Sequence, residues 1–194
     1  MRLAIFGGTF DPIHQAHLAI AREAAHTCRL DRVLLVPAAN PPHKTAVTPT
    51  PYEHRVRMAG IACRGLAHVE VSRLEEGADR SYSIDTIEKV RASIAPEDEL
   101  FFVIGADAFA DIRTWHRWQD VIRAVSFVVV SRPGAVYDVP PEARVERLDR
   151  LELAISSSEI RRQLAAGKRP PEVPAAVMDY IVEHGLYGTG ASSQ

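Results

Sequence analysis

The alternation of short apolar runs with helix-length segments constrains this chain most. Leu3-Ala4-Ile5-Phe6 is followed by a helical pattern from about Gln15 to Cys28, and then by a second apolar run, Val33 to Val36. Parallel neighbours need a crossover of a dozen or more residues, usually a helix, so this alternation predicts an α/β fold on a parallel sheet. Thr50-Pro51-Tyr52-Glu53 sets out a cap, a first-turn proline and a capping-box glutamate, opening a helix to about Cys63. Val69 to Val71 predicts a short strand. Ser83 is read as the cap of a helix whose Ile84, Ile87, Val90 and Ile94 recur near the helical period. Leu100 to Ile104 and Val125 to Val130 are continuous runs rich in Val, Ile and Phe, expected as strands covered on both faces at the sheet centre.

Further on, Ser156-Ser157-Ser158-Glu159 repeats the capping box, Gly167 ends that helix, and a last helix runs from about Ala175 to His184 before Gly185. The expected architecture is a single Rossmann-like, doubly wound domain over residues 1–187, with a central parallel sheet and a C-terminal helical segment. The small, polar residues 188–194 are expected to form a disordered tail.

Composition removes several function classes. A net charge of −2 carries no broad basic field, so nucleic acid is not an expected partner and any polyanion must meet a local pocket. No apolar run approaches a membrane span, and Gly7-Gly8 interrupts the first one too early for a secretory signal. Cys28 and Cys63 stand alone, without a paired spacing. A cytoplasmic protein with reduced cysteines and no membrane partner follows; a homo-oligomer stays open.

The chemistry gathers first in "GGTFDPIHQAH", residues 7–17. Neither G-x-G-x-x-G nor a Walker loop is present. What remains is a strand, a tight Gly7-Gly8 turn and a helix start at the carboxyl edge of the sheet, where open α/β folds bind ligands. His14 and His17 lie one helical turn apart, so both can reach one ligand. Gln15-Ala16 supplies no third metal ligand, which favours phosphate over zinc. Ser156, Ser157 and Ser158 at a helix start, with Arg161 a turn on, make a second candidate anion site. Gly105 and Asp107 follow the strand Leu100 to Ile104, where the glycine lets backbone approach and the carboxylate can accept from a ribose or adenine group. Trp118 reads as core. Trp115 is the better platform for an aromatic ring.

These residues carry a resemblance. "GGTFDPIHQAH" resembles the nucleotidylyltransferase signature, and five further segments narrow it: "PAANPPHK" at 37–44, "YSIDT" at 82–86, "GADAF" at 105–109, "TWHRW" at 114–118 and "ISSSEIR" at 155–161. Together, and in this order, they are similar to the bacterial nicotinate-nucleotide adenylyltransferase family. The departures are Ala16, where glycine is usual, and Ser158, where threonine is common. The resemblance implies transfer of the adenylyl group of ATP to nicotinate mononucleotide, giving nicotinate adenine dinucleotide and pyrophosphate in NAD biosynthesis. It implies His14, His17, Lys44 and Arg161 as catalytic. ATP would be bound by Gly7, Gly8, Thr9, Phe10, Gly105, Asp107, Ile155, Ser156, Ser157 and Ser158. Nicotinate mononucleotide would meet Asn40, His43, Ser83, Thr86, Trp115 and His116. Mg²⁺ is expected with ATP, held by no protein cluster alone. Nicotinamide mononucleotide or phosphopantetheine as acceptor, or a nucleotide-binding regulator without turnover, are the alternatives.

Overall fold

The computed structural model describes residues 1–40, 48–131, 135–149 and 155–190. Its strands are β1 (Arg2–Gly8), β2 (Arg32–Pro37), β3 (Val69–Val71), β4 (Glu99–Gly105), β5 (Ser126–Val130) and β6 (Arg144–Leu148). The helices are α1 (Gln15–Thr27), α2 (Tyr52–Ala62), α3 (Ser83–Ser93), α4 (Ala106–Ala110), α5 (Trp118–Ala124), α6 (Ser157–Ala165) and α7 (Ala175–Glu183). The sheet runs β3-β2-β1-β4-β5-β6 with every neighbouring pair parallel. Chain order leaves β1 towards β2 on one side and β4 towards β5 on the other, so β1 and β4 flank the switch point where doubly wound sheets open a crevice.

Alternation along each strand divides the core. Ala4, Phe6, Leu35, Phe101 and Val103 pack on the face covered by α1, α2, α6 and α7, while Ile5, Leu34, Phe102, Ile104 and Phe127 pack on the face covered by α3, α4 and α5. Both faces being buried explains why these strands read as unbroken apolar runs. No described helix is long and apolar enough to cross a membrane.

Several expectations shift. The centre is β1 and β4, with β5 one strand further out, because β6 covers β5. β6 was not anticipated: in Arg144-Val145-Glu146-Arg147-Leu148 only Leu148 is fully buried, and the charges that keep an edge strand from pairing onwards also hide its pattern. Thr50 does not cap α2. Pro51 occupies the N-cap position in an extended conformation, and Thr50 gives its amide to the Asp11 carboxylate and its carbonyl to Arg55. Tyr82, not Ser83, precedes α3, which leaves Ser83 as the first helical residue and free to face a cavity. Ser156 does cap α6, its hydroxyl accepting from the Glu159 amide at 3.4 Å. Residues 191–194 of the expected tail lie outside the described residues, whereas Leu186–Gly188 forms a 3-10 turn and Thr189 Oγ1 donates to the carbonyls of Ile181 and Leu186.

Candidate active site

The expected tight turn at Gly7-Gly8 is not there: both glycines are the last residues of β1, paired with Val36 and Pro37, and the chain turns only beyond Phe10, at Asp11-Pro12, before entering α1 at His14. A Cβ on Gly8 would stand 3.0 Å from the Phe10 ring, and Phe10 is itself buried, edge-on to Phe6 and to His17. Glycine is needed there so that Phe10 can close under the loop and hold the His17 imidazole. Phe10 therefore acts mainly by packing, although it borders the same cavity as Thr9.

His14 and His17 stack, with ring centroids 3.7 Å apart and planes 22° from parallel. The His14 amide donates to His17 Nδ1 at 3.2 Å. Because Nδ1 accepts, the neutral His17 ring carries its proton on Nε2, which is then a hydrogen-bond donor for an anion. His14 Nδ1 is buried with no hydrogen-bond partner among the described residues. Burial holds His14 down at about 4. Burial, and then the charge of His14, hold His17 down at about 3.

Both rings are thus neutral at pH 7, with a consequence for stability. Below about pH 6.5 the unfolded chain takes up protons at these imidazoles, while the folded chain does so only near 4 and 3, so the unfolded state binds more protons in that window. Folding stability is therefore lost as pH falls from about 6.5 towards 4. The melting temperature should drop across that range, and a His14→Asn, His17→Asn double variant should drop less. Equal acid sensitivity of the two proteins would contradict the burial argument.

A cavity of about 600 Å³ lies over this pair, bordered by His14, His17, Gly105, Asp107, Ile155 and Ser157. A neighbouring one of about 300 Å³ takes in Thr9, Phe10, His17, Ser157, Ser158 and Arg161. The α1 N-terminus contributes fewer free amides than expected, since His14 N–H is taken by His17 and Gln15 N–H by the Glu172 carbonyl. The first-turn amides of α6, at Ser157 and Ser158, precede the helical ladder, and both residues line the anion-side cavity. Arg161 is held by two bonds, Nη1 to the Asp11 carbonyl at 2.7 Å and Nη2 to Ser158 Oγ at 3.2 Å.

Across Gly105, which borders both, lies a cavity of about 230 Å³ lined by Gly7, Gly8, Glu75, Ser83, Thr86 and Trp115. Trp115 is half-buried, edge-on to Phe102 at 5.9 Å, and also borders a cavity of about 480 Å³ with Tyr82, Ser83 and His116. Asn40 borders neither. Its N–H and Nδ2 donate to Ser81 Oγ and to the Asp79 carbonyl, fixing one rim of the acceptor side. His43 and Lys44 lie outside the described residues.

Comparison with known proteins decides the family. A family model described as cytidylyltransferase-like matches residues 5–163. A protein of Solibacter usitatus, named as a probable nicotinate-nucleotide adenylyltransferase, is 66% identical over 187 residues, spanning 96% of this chain and 100% of that one. This chain belongs to the nicotinate-nucleotide adenylyltransferase family. A member from Thermus thermophilus, named in the same way, is 44% identical over 189 residues, with 96% and 100% coverage. Among solved structures, Plasmodium falciparum nicotinic acid mononucleotide adenylyltransferase complexed with NaAD superposes with a TM-score of 0.79, covering 96% of this chain and 97% of that chain. At 20% identity it carries the fold alone.

Within this family member, sequence reasoning missed two buried carboxylates. Glu75 accepts from Thr86 Oγ1 at 2.8 Å and from the Ala39 amide at 3.3 Å, so the cavity beside Trp115 holds a carboxylate. Thr86 lines the same cavity and spends its one hydroxyl proton on Glu75. Asp11 is the second, 5% exposed and bonded to Tyr187 and Thr50. Thr86 is 11 positions from Glu75 and Tyr187 is 176 from Asp11, so spacing reveals neither pairing, although Asp11 itself stands inside the motif at 7–17. Among the described residues no group of three or more His, Cys, Asp or Glu side chains is placed to hold a metal ion.

Proposed function

We propose that the protein transfers the adenylyl group of ATP to nicotinate mononucleotide. The observation that carries this is the meeting of two subsites at Gly105: an anion side with His14, His17, Ser157 and Arg161, and an aromatic-walled side with Ser83, Thr86 and Trp115. A phosphate oxygen of the mononucleotide attacks the α-phosphorus. The bond from that phosphorus to the oxygen bridging to the β-phosphate breaks, and pyrophosphate leaves with its electron pair. The attacking phosphate is already an anion, so no general base is needed, and the chain acts by positioning and by donating to developing charge.

In this reading His14, His17, Lys44 and Arg161 receive the triphosphate, supported by Gly7, Gly8, Thr9, the α6 amides and Ile155. Asp107, exposed at the cavity edge, accepts from the adenosine. Trp115 stacks on the pyridine, and the amides of Ser83 and His116 donate to the nicotinate carboxylate. Mg²⁺ arrives as part of the nucleotide substrate. The reaction runs in the cytoplasm. Nicotinamide mononucleotide is the second reading, favoured by the Glu75 carboxylate, which could accept from an amide. Glu75 already has Thr86 and Ala39 as partners, which supports nicotinate first.

Incubation with ATP, Mg²⁺ and nicotinate mononucleotide should release one pyrophosphate per dinucleotide formed. ATP binding without pyrophosphate release would turn the reading into a regulator. Lys44→Ala should lower turnover about tenfold while leaving the melting temperature unchanged, because this reading gives its charge to the substrate phosphates. A large fall in melting temperature with level activity per folded molecule would make Lys44 structural.

A further inference from the structure

We propose that Tyr187, in the turn after α7, is a positioning residue for the triphosphate side of the site, acting through the Asp11 carboxylate. The proposal rests on the adenylyl-transfer reading above. Tyr187 Oη donates to Asp11 Oδ1 at 2.6 Å across 176 positions of sequence, and the Thr50 amide donates to Oδ2 at 3.2 Å. Behind the same loop, Arg55, 1% exposed, donates from Nη1 to the Thr9 carbonyl at 2.8 Å and from Nε to the Thr50 carbonyl at 2.7 Å. The loop from Thr9 to Pro12 is thus tied from the rear by α2 and by the C-terminal turn.

Its front carries the anion site. The Asp11 carbonyl accepts from Arg161 Nη1 at 2.7 Å, and the Pro12 carbonyl accepts from Ser157 Oγ at 3.3 Å. Among the described residues, Arg161 bonds through two of its five guanidinium N–H groups, and the other three can meet phosphate oxygens. Where Asp11 stands therefore decides where that guanidinium stands, and a shift of about 1 Å in such a group is enough to lose orientation. Burying a carboxylate is a poor way to gain stability, since apolar groups of the same shape serve as well or better. Here the buried carboxylate has a geometric use.

Two features of Tyr187 agree. It adopts φ 56, ψ 26, in the left-handed region disfavoured for a non-glycine residue, so its placement has to be held by its contacts. Burial first, then the Asp11 charge, push its hydroxyl up, so it keeps its proton and remains the donor.

The test measures affinity for an α,β-methylene analogue of ATP by calorimetry, together with steady-state kinetics, on wild type, Tyr187→Phe, Asp11→Asn and the double variant. Tyr187→Phe keeps the packed ring and loses only the hydroxyl. It should weaken analogue binding about tenfold while the KM for the acceptor stays within about twofold. Asp11→Asn should weaken binding at least as much. The double variant should match Asp11→Asn, because both changes remove one shared interaction. Lower melting temperatures with unchanged analogue affinity, fully additive effects, or failure of both single variants to fold would make the pair structural cement and overturn the proposal. If the wild type binds and turns over normally, an unaffected Tyr187→Phe overturns this proposal alone. A wild type that binds no analogue overturns the adenylyl-transfer reading with it.

Discussion

His17→Ala is expected to lower kcat by a hundredfold or more while raising the KM for ATP much less. The His17 ring is fixed on three sides: His14 stacks on it at 3.7 Å, Phe10 meets it edge-on at 5.0 Å, and the His14 amide occupies Nδ1. What remains is an Nε2–H donor with almost no freedom, on a ring that borders both anion-side cavities. A donor already in place where charge develops needs no reorganisation during reaction, and removing one such donor costs about 3 kcal/mol of transition-state stabilisation. Ground-state ATP retains Arg161, the α6 amides and the glycine end of β1, so its binding changes less. Since the ring is also packed, rates must be referred to folded protein. An unchanged kcat would remove His17 from the chemistry.

Trp115→Ala is expected to raise the KM for the mononucleotide tenfold or more and to move the KM for ATP within about twofold. The indole borders both the 230 Å³ and the 480 Å³ cavities and rests edge-on against Phe102. A ring so braced offers a flat, preordered face to a pyridine, worth about 1 kcal/mol as stacking and more once the lost apolar burial is added. It does not border the cavities of the anion side. A variant impaired only towards ATP would place the pyridine elsewhere and break the division of the site into two halves.

Which features were readable in the sequence follows from their range. The His14/His17 spacing and the Ser156 cap are contained within a few residues, so composition and spacing expose them, whereas Gly7-Gly8 was read as a turn and is the paired end of β1. The parallel sheet was readable because strands covered on both faces leave unbroken apolar runs such as Leu100 to Ile104. β6 was not, since an edge strand buries little and carries Arg144, Glu146 and Arg147. α4 and α5 were missed as too short to establish a helical period. Thr50 misled because its cap-like position was overridden by a tertiary partner, Asp11. Glu75 drew no reading and Asp11 none beyond its place in the motif at 7–17; only the fold brings Thr86 to the one and Tyr187 to the other.

The central claim is that the cavity beside Trp115 receives a nicotinate carboxylate on main-chain donors. The direct measurement is kcat/KM for nicotinate mononucleotide and for nicotinamide mononucleotide, side by side, at saturating ATP and Mg²⁺, with pyrophosphate release as the signal. A pocket whose donors face one group leaves them unpaired against its analogue, so preference for nicotinate mononucleotide by about a hundredfold or more is expected. Equal values for the two, or a preference for nicotinamide mononucleotide drawn by the Glu75 carboxylate, would contradict it.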